Sequence, residues 1–596
     1  MKVLKRAQAV ALGLGTTPFG PRYISLLVLL SLLAAAVFTR FWRLGTPGDF
    51  YFDEVYFPKT GQEILRGDPA AWEFYGHENT HPPLSKLFMA GGMALFGENS
   101  FGWRFFGALA GVGAAIFIYL IGKRLFKSEF IGMTAAFFLV FDGLAFAQSR
   151  IATPDTYVLF FVLGSVYFLL ANRFLLSGIF LGAALASKWT ALFTLFPIVL
   201  YLLYRLYRCR QTEQGRRALL LYLAPLSLLA FYMGTPALFG DFLLECQPDG
   251  TCRPDLSAGV FGTALVSWML LWALAPLAIY LVYRLSRSRA DHEEKTVAAS
   301  LGSLSLFFVA VPLSVYLLTY LPMLLNGHGL KDVWELNKAA YLFHSYSPVV
   351  AGPEASHPYQ SPWDTWPILM RPVFFFVSGN ERIYNLGNPI IFWFGLPALA
   401  FTLWQGLRGV RARLDAKTGD LAVCGTLRPG EAALLFVVLT YLGFWLPWAR
   451  QPRLMFLYHY QTALPFLMLA SAYGIYRLWQ ESWDRIRQVV AFLTAPAAIV
   501  LTTIAALFLI LASSSVVEKV NEYWARPFLA MGLASLLIFT LAYMAERRWQ
   551  QPAGRVIALG FLAVVAVTFV YFYPQLAAVP VSGRLADSYY WFPKWR

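Results

Sequence analysis

Two neighbouring carboxylates, Asp53 and Glu54, lie in the string FDEVYFPK (52–59), shortly past the first long apolar run of the chain. Acidic pairs close to lipid are costly and are seldom kept without a use. A carboxylate at headgroup depth can take the proton of a hydroxyl as that hydroxyl attacks a sugar carbon, while its neighbour orients the acceptor. The plainer alternative is a solvated loop charge paired with Arg40 or Arg43. Two cations stand at span ends on the same expected face, Arg104 in FGWRFFGAL (101–109) and Lys188 in ASKWTALF (186–193). Such cations could hold the phosphate of a lipid-linked donor and stabilise it as it leaves; the alternative is snorkelling to the interface. Asp155, in SRIATPD (149–155), either caps a helix or joins the chemistry. His81, before Pro82–Pro83, could touch a substrate hydroxyl or phosphate, or simply shape a turn. His344, His357 and His459 are open in the same way. No CxxC or His/Cys spacing calls for a metal, so neither metal nor cofactor is expected.

These residues need elements to hold them. The chain has 596 residues, 58% of them hydrophobic and 14% charged, with a net charge of +15 and a mean hydropathy of +0.55. Apolar runs of spanning length recur at 23–39, 104–122, 130–148, 155–171, 174–187, 190–206, 218–236, 259–283 and 300–324. They continue at 389–407, 431–448, 455–476, 490–512, 526–545 and 556–574. The pattern predicts an all-α polytopic membrane protein of about 13–15 transmembrane helices, with 174–187 short for a span. Lys and Arg cluster between alternate runs, among them Lys123/Arg124/Lys127, Arg284/Arg287/Arg289 and Arg408/Arg411/Arg413. Positive-inside bias explains that placement better than nucleic acid does. It puts the N-terminus in the cytoplasm and the C-terminus outside. The first run reads as a span rather than a cleaved leader, because Arg40 and Phe41–Trp42 form an interfacial anchor and no small-x-small site closes it.

Two external segments are long. Residues 41–103 carry both carboxylates and the HPP turn; residues 325–388 carry VWELNKAAYLFHSYS (333–347), HPYQSPWDTWP (357–367), Arg371–Pro372 and GNP (387–389). Their Trp, Tyr and Pro content suits short helices lying along the interface. Both lie on one side, so a site built from the two is topologically allowed. Cys246 and Cys252 share an external loop and could form a structural disulfide. A transporter would show broken spans at matching places in two halves and charges at mid-bilayer; neither is read here.

In order along the chain, FDEVYFPK after Arg40, HPPLSKL, WRFFGAL, RIATPD and ASKWTALF, then YLFHSYS, HPYQSPWDTWP, GNP and FLYHYQTALPF (456–466), resemble the protein O-mannosyltransferases of the GT-C glycosyltransferase class. The resemblance covers most of 24–480. It implies transfer of a sugar, typically mannose, from a polyprenyl-phosphate donor to Ser/Thr hydroxyls of exported proteins, which could emerge directly from the secretion machinery. It further implies inversion at the anomeric carbon, no metal, and a site on the external face of the cell membrane. It assigns Asp53 as catalytic base, Glu54 to acceptor binding, and Arg104, Lys188 and Asp155 to the donor site. It matches Arg40 to the arginine that precedes the acidic pair; Arg40, and His81 on its own chemistry, are placed with the donor-side residues. The expected division is a cytoplasmic start (1–22), a transmembrane core (23–324), an external loop (325–388), a four-span region (389–512) and an extra hairpin with an external end (513–596). Eukaryotic members carry a β-trefoil-type domain where this chain has only the short loop, which leaves acceptor choice open. The runs 218–283 and 526–574 look additional to an eleven-span plan. A transferase of the same fold acting on a lipid or envelope polymer, of the aminoarabinose type, is the alternative.

Overall fold

The computed structural model describes residues 22–74, 78–209, 244–246, 252–254, 306–350, 357–415, 429–451, 454–486 and 525–595. The expected spans 218–236, 259–283 and 490–512 lie outside the described residues. In chain order the first helices are α1 (Arg22–Phe41), α2 (Phe57–Leu65), α3 (Leu84–Phe96), α4 (Ser100–Phe126), α5 (Glu129–Val140), α6 (Gly143–Ser149), α7 (Asp155–Leu170), α8 (Phe174–Leu185) and α9 (Leu195–Cys209). Then come α10 (Val311–Leu318), α11 (Leu321–Leu325), α12 (Leu330–Val350), α13 (Pro389–Asp415), α14 (Pro429–Trp445), α15 (Leu464–Leu478), α16 (Ala525–Trp549), α17 (Ala553–Leu576) and α18 (Gly583–Ser588). Two antiparallel hairpins depart from the all-helical expectation: β1 (Leu244–Cys246) with β2 (Cys252–Pro254), and β3 (Val373–Ser378) with β4 (Glu381–Asn385). The first sets Cys246 opposite Cys252 in its backbone register.

Among the described residues, five helices are long and apolar enough to cross a bilayer, and a bent pair makes a sixth. The expected span 174–187 is a helix of only 12 residues, which at 1.5 Å per residue falls well short of a roughly 30 Å core. The run 300–324 is likewise broken, into a π-turn at Leu306–Ala310, α10 and α11. The two long segments expected to be external contain helices, α2 and α3 in the first and α12 in the second.

The centre of the bundle is α4, 27 residues long, packed on α3, α5 and α7. Its contact with α3 is close because both helices are glycine there: a Cβ at Gly92 would stand 2.2 Å from the Gly102 carbonyl oxygen. The two helices run antiparallel, so the start of α4, where Arg104 sits, lies beside the second half of α3.

The apolar run 130–148 reads as one span but bends by 63° between α5 and α6. A break inside a bundle frees backbone groups that must find partners away from water. Asp142 caps α6 by accepting from the Ala145 N–H at 2.9 Å, and its other oxygen accepts from the Asn388 N–H at 2.8 Å. The Asn388 amide in turn donates to the Phe141 and Val565 carbonyls, both at 3.0 Å. The GNP string thus ties the kink to α17. Replacing Asn388 by Ala strands two buried carbonyls and is expected to cost about 2 kcal/mol or more, measured as a lowered unfolding midpoint of the purified protein; an unchanged midpoint would show that the kink is held elsewhere.

Candidate active site

Two guanidinium groups fix the chain between the end of α1 and the acidic pair. Arg150 closes α1: its Nη1 donates to the Thr39, Arg40 and Trp42 carbonyls at 3.2, 2.8 and 2.7 Å, and its Nη2 to Arg43 at 3.0 Å. A cation suits this place, since the last carbonyls of a helix lack intrahelical donors and carry negative dipole. Arg104 takes the next stretch, donating to the carbonyls of Leu44 (3.1 Å), Pro47 (2.7 Å) and Asp49 (3.2 Å). Its Nε and Nη2 also grip the Glu54 carboxylate in a two-point fork at 2.8 and 2.7 Å. Both side chains of that ion pair are fully buried. Glu54 Oε1 accepts in addition from the Ala152 N–H at 2.9 Å, joining the loop to the segment before α7. The Tyr51 ring lies 4.7 Å from the Arg104 guanidinium carbon. Burial raises the pKa of that phenol well above its usual value, so it stays neutral and offers its ring face.

Asp53 and Glu54 belong to a single 3-10 turn, Phe52–Val55. Successive side chains on such a turn are about 120° apart, so neighbours cannot share a direction. Glu54 points inward, and Asp53 is left half-buried. Phe52, just before it, holds a positive φ of 50°, a conformation that a bulky residue keeps only when its surroundings impose it.

From this turn a belt of side chains closes on itself. The Phe52 ring is 6.2 Å from Tyr458, and Lys188 Nζ lies 5.9 Å from the same Tyr458 ring. Lys188 pairs with Asp155 at 2.9 Å, both side chains nearly buried. Trp189, its neighbour, meets His344 edge-on at 6.1 Å. His344 Nε2 lies 3.2 Å from His81 Nδ1 and 2.8 Å from the Thr80 carbonyl, with the two imidazoles stacked at 4.9 Å. His81 stacks in turn on Phe57, at 5.8 Å and 6°, and Phe57 opens the helix that follows the acidic turn. The belt draws on both long segments expected to be external, the first through Phe52, Phe57 and His81 and the second through His344.

Not every residue singled out in the sequence joins the belt. Arg104, expected at a donor phosphate, has its guanidinium engaged by Glu54 and three carbonyls, and Glu54, expected at the acceptor, is sealed behind it. Arg40 is buried inside the bundle, donating from Nη2 to the Leu139 carbonyl at 3.2 Å, so it braces α5 rather than facing the belt. Asp155, Lys188 and His81 do reach it. His357 lies against Phe456 at 5.0 Å and His459 against Trp448 at 4.5 Å. Among the described residues no group of three or more His, Cys, Asp or Glu side chains could hold a metal ion.

The sequence reading passed over Arg150 and Lys86. Lys86 is fully buried and stitches the HPP turn together, donating to the Glu78 carbonyl, to Asn79 Oδ1 at 2.9 Å and to the His81 carbonyl at 3.1 Å. Burial lowers its pKa, while Glu78 opposes that shift. Its signal was its place, one turn into a helix that follows HPP. Arg150 had a signal too, since it directly follows Ser149 in the string that ends at Asp155.

Removing one partner of a buried ion pair leaves the other charge without compensation and typically costs about 3–5 kcal/mol. Arg104→Met and Glu54→Gln are each expected to destabilise the protein by about that much, and the double variant by clearly less than their sum. Unfolding midpoints of the four proteins check this, and strict additivity would mean that the pair is not coupled.

Comparisons with known proteins extend these observations. Residues 30–100 and 80–233 match family models described as dolichyl-phosphate-mannose-protein mannosyltransferase, and residues 329–519 match the C-terminal four-transmembrane region of protein-O-mannosyltransferase. The polyprenol-phosphate-mannose–protein mannosyltransferase of Mycolicibacterium smegmatis is 24% identical over 94% of this chain and 91% of its own length. The protein of the same name from Mycobacterium tuberculosis is 23% identical over 95% of this chain and 91% of its own length. In three dimensions the chain is similar to the S. cerevisiae protein O-mannosyltransferase Pmt1-Pmt2 complex bound to the sugar donor. The TM-score is 0.57 at 13% identity, covering 96% of this chain and 92% of that one. That likeness shows the GT-C fold expected from the sequence, and the apolar helices make it a multi-pass membrane protein. The ordered family matches on either side of the belt carry the same conclusion as the fold, and the chain belongs to the protein O-mannosyltransferase family.

Proposed function

We propose that this chain transfers mannose from a polyprenyl-phosphate donor to Ser or Thr hydroxyls of exported proteins, at the external face of the cell membrane, with the N-terminus in the cytoplasm. The observation that carries this reading is the meeting of the acidic turn, through Phe52, and an immobilised Lys188 around one ring, Tyr458, with Asp53 half-buried next to Phe52 in the chain. The relatives' names supply the substrate class.

The reaction follows from these positions. Asp53 accepts the proton of the incoming hydroxyl as its oxygen bonds to the anomeric carbon from one side. The bond from that carbon to the phosphate oxygen breaks on the other side, and its electron pair leaves with the polyprenyl phosphate. The anomeric configuration is inverted. Lys188 meets the phosphate: an ammonium has three donors, and Asp155 takes one of them while fixing the direction of the others. A fixed cation in a largely dehydrated site stabilises charge as it develops, at no cost in reorganisation. His81 and His344 border the space between donor and acceptor. Arg104 and Glu54 act at one remove, by holding the turn that aims Asp53. The acceptor is a polypeptide emerging from the secretion machinery, presented in extended form to the external segments.

Asp53→Asn keeps the shape and removes the base, so turnover is expected to fall by about 10²–10⁴-fold with an unchanged unfolding midpoint. Lys188→Ala is expected to lower kcat by about 10²-fold or more and to weaken donor binding. Purified protein supplied with labelled polyprenyl-phosphate-mannose and either Ser/Thr peptides or membrane lipids measures both. Transfer by Asp53→Asn at the wild-type rate would remove that residue from the chemistry, and label appearing only in lipid would favour the lipid-modifying alternative.

A further inference from the structure

The segment after α18 reads YYWFPKW (589–595), and it packs against the protein: Tyr589, Tyr590, Trp591 and Trp595 are all buried, Trp595 to 1% exposure. It packs on Tyr571 and Phe572 of α17, on Trp393 of α13 and on the β3–β4 hairpin. The Trp595 carbonyl accepts from the Tyr384 hydroxyl at 2.6 Å, and the Trp595 indole N–H donates to the Leu369 carbonyl at 2.9 Å. Arg382 donates to the Tyr590 hydroxyl and lies 5.3 Å from that ring. Tyr384 stacks on Phe374 across the hairpin at 4.0 Å and 15°. The segment therefore holds β4 directly and β3 through one ring.

The opposite side of the hairpin carries the acidic turn. The register of β3 with β4 slips between Phe374 and Phe376, and such a bulge re-aims the extra side chain. Phe375 is sent against Phe52 at 4.6 Å, and Phe376 approaches Tyr51 at 6.0 Å. Tyr51 and Phe52 immediately precede Asp53, and Phe52 is the residue with the positive φ. A continuous run of contacts thus joins residue 595 to residue 53 without passing through the Arg104 clamp.

We infer that residues 589–595 are a positioning segment for transfer, setting the place of Asp53 through the hairpin, beyond any role in holding the bundle together. The inference rests on the proposed transferase reading. The segment touches no substrate. It removes slack from a turn that the guanidinium groups grip only on its other side. Asp155 stands on α7 and Lys188 at the start of the 3-10 turn after α8. The ring contact from the hairpin toward that pair runs through Tyr458, 6.3 Å from Phe375 and 5.9 Å from Lys188 Nζ, so donor binding should feel the segment less than Asp53 does. A misplacement of about 1 Å at a reacting group can cost 10²-fold in rate.

The test compares wild type, Tyr384→Phe, Trp595→Phe and a chain shortened by residues 589–596, each purified, with labelled polyprenyl-phosphate-mannose and a Ser/Thr peptide. Removal of the segment is expected to lower kcat by about 10-fold or more, and each point change by about 3-fold or more, with donor KM within about twofold of wild type. Unfolding midpoints are read on the same samples. Wild-type kcat in both point variants overturns the inference. So does a fall in kcat that merely tracks the folded fraction, or one accompanied by an equal rise in donor KM. If the shortened chain does not fold, the point variants decide. A wild-type protein that transfers to no acceptor would instead strike the transferase reading, leaving the two failures distinguishable.

Discussion

A guanidinium shut away from water must be surrounded by acceptors, and in this protein that requirement shapes the site. Arg104 cannot be buried unless carbonyls turn toward it and a carboxylate neutralises it, and the chain from Leu44 to Glu54 is arranged to do both. The segment has little regular structure of its own, so its conformation comes from its partner rather than from local propensity. Arg150 does the same for the end of α1. Desolvation makes each clamp all-or-none, because a partly satisfied buried charge costs more than no charge at all. The reward is a loop rigid enough to aim one carboxylate.

The belt around Tyr458 is built on other principles. Its members come from the acidic turn, the HPP turn, the 3-10 turn after α8, α12 and the 3-10 turn before α15, and they meet mostly through rings. Stacked imidazoles and aromatic edges give area and orientation without demanding buried charge. Only Lys188 and Asp155 bring an ion pair into it, and they bring it as a matched set. The two parts differ in kind: the clamp fixes the turn that carries Asp53, and the belt gathers Lys188, Asp155, His81 and His344.

Much of this was legible in the sequence. The acidic pair, Lys188, Asp155 and His81 stood out by type and spacing, and positive-inside bias put both long segments on one side. What could not be read was the difference between Arg104 and Lys188. Both are cations at the expected external end of a span, and periodicity treats them alike. One is enclosed by carbonyls of an irregular loop and the other pairs with Asp155, the first residue of α7, and only the folded loop decides which. The kink at Asp142 was hidden for a related reason. An apolar run of spanning length hides a break when the atoms that satisfy it, here from Asn388, lie far along the chain. The run that forms α8 is short for a span in the sequence itself, and hydropathy alone reports burial without saying whether lipid or protein provides it. The bulged hairpin lay in a stretch whose aromatic content suggested interfacial helices.

The three-fold screw of the turn at Phe52–Val55 also carries a consequence for how this loop can vary. A step of one residue rotates a side chain by about a third of a circle, so the phase of the turn fixes which acid meets Arg104 and which is left half-buried beside it. Inserting one residue between Asp49 and Phe52 would carry Asp53 into the place now held by Glu54, against the guanidinium, and deleting one would carry Glu54 into the place now held by Asp53. Length drift among relatives should therefore be excluded from this short window. It should accumulate instead past Leu65, where the chain has already left both partners.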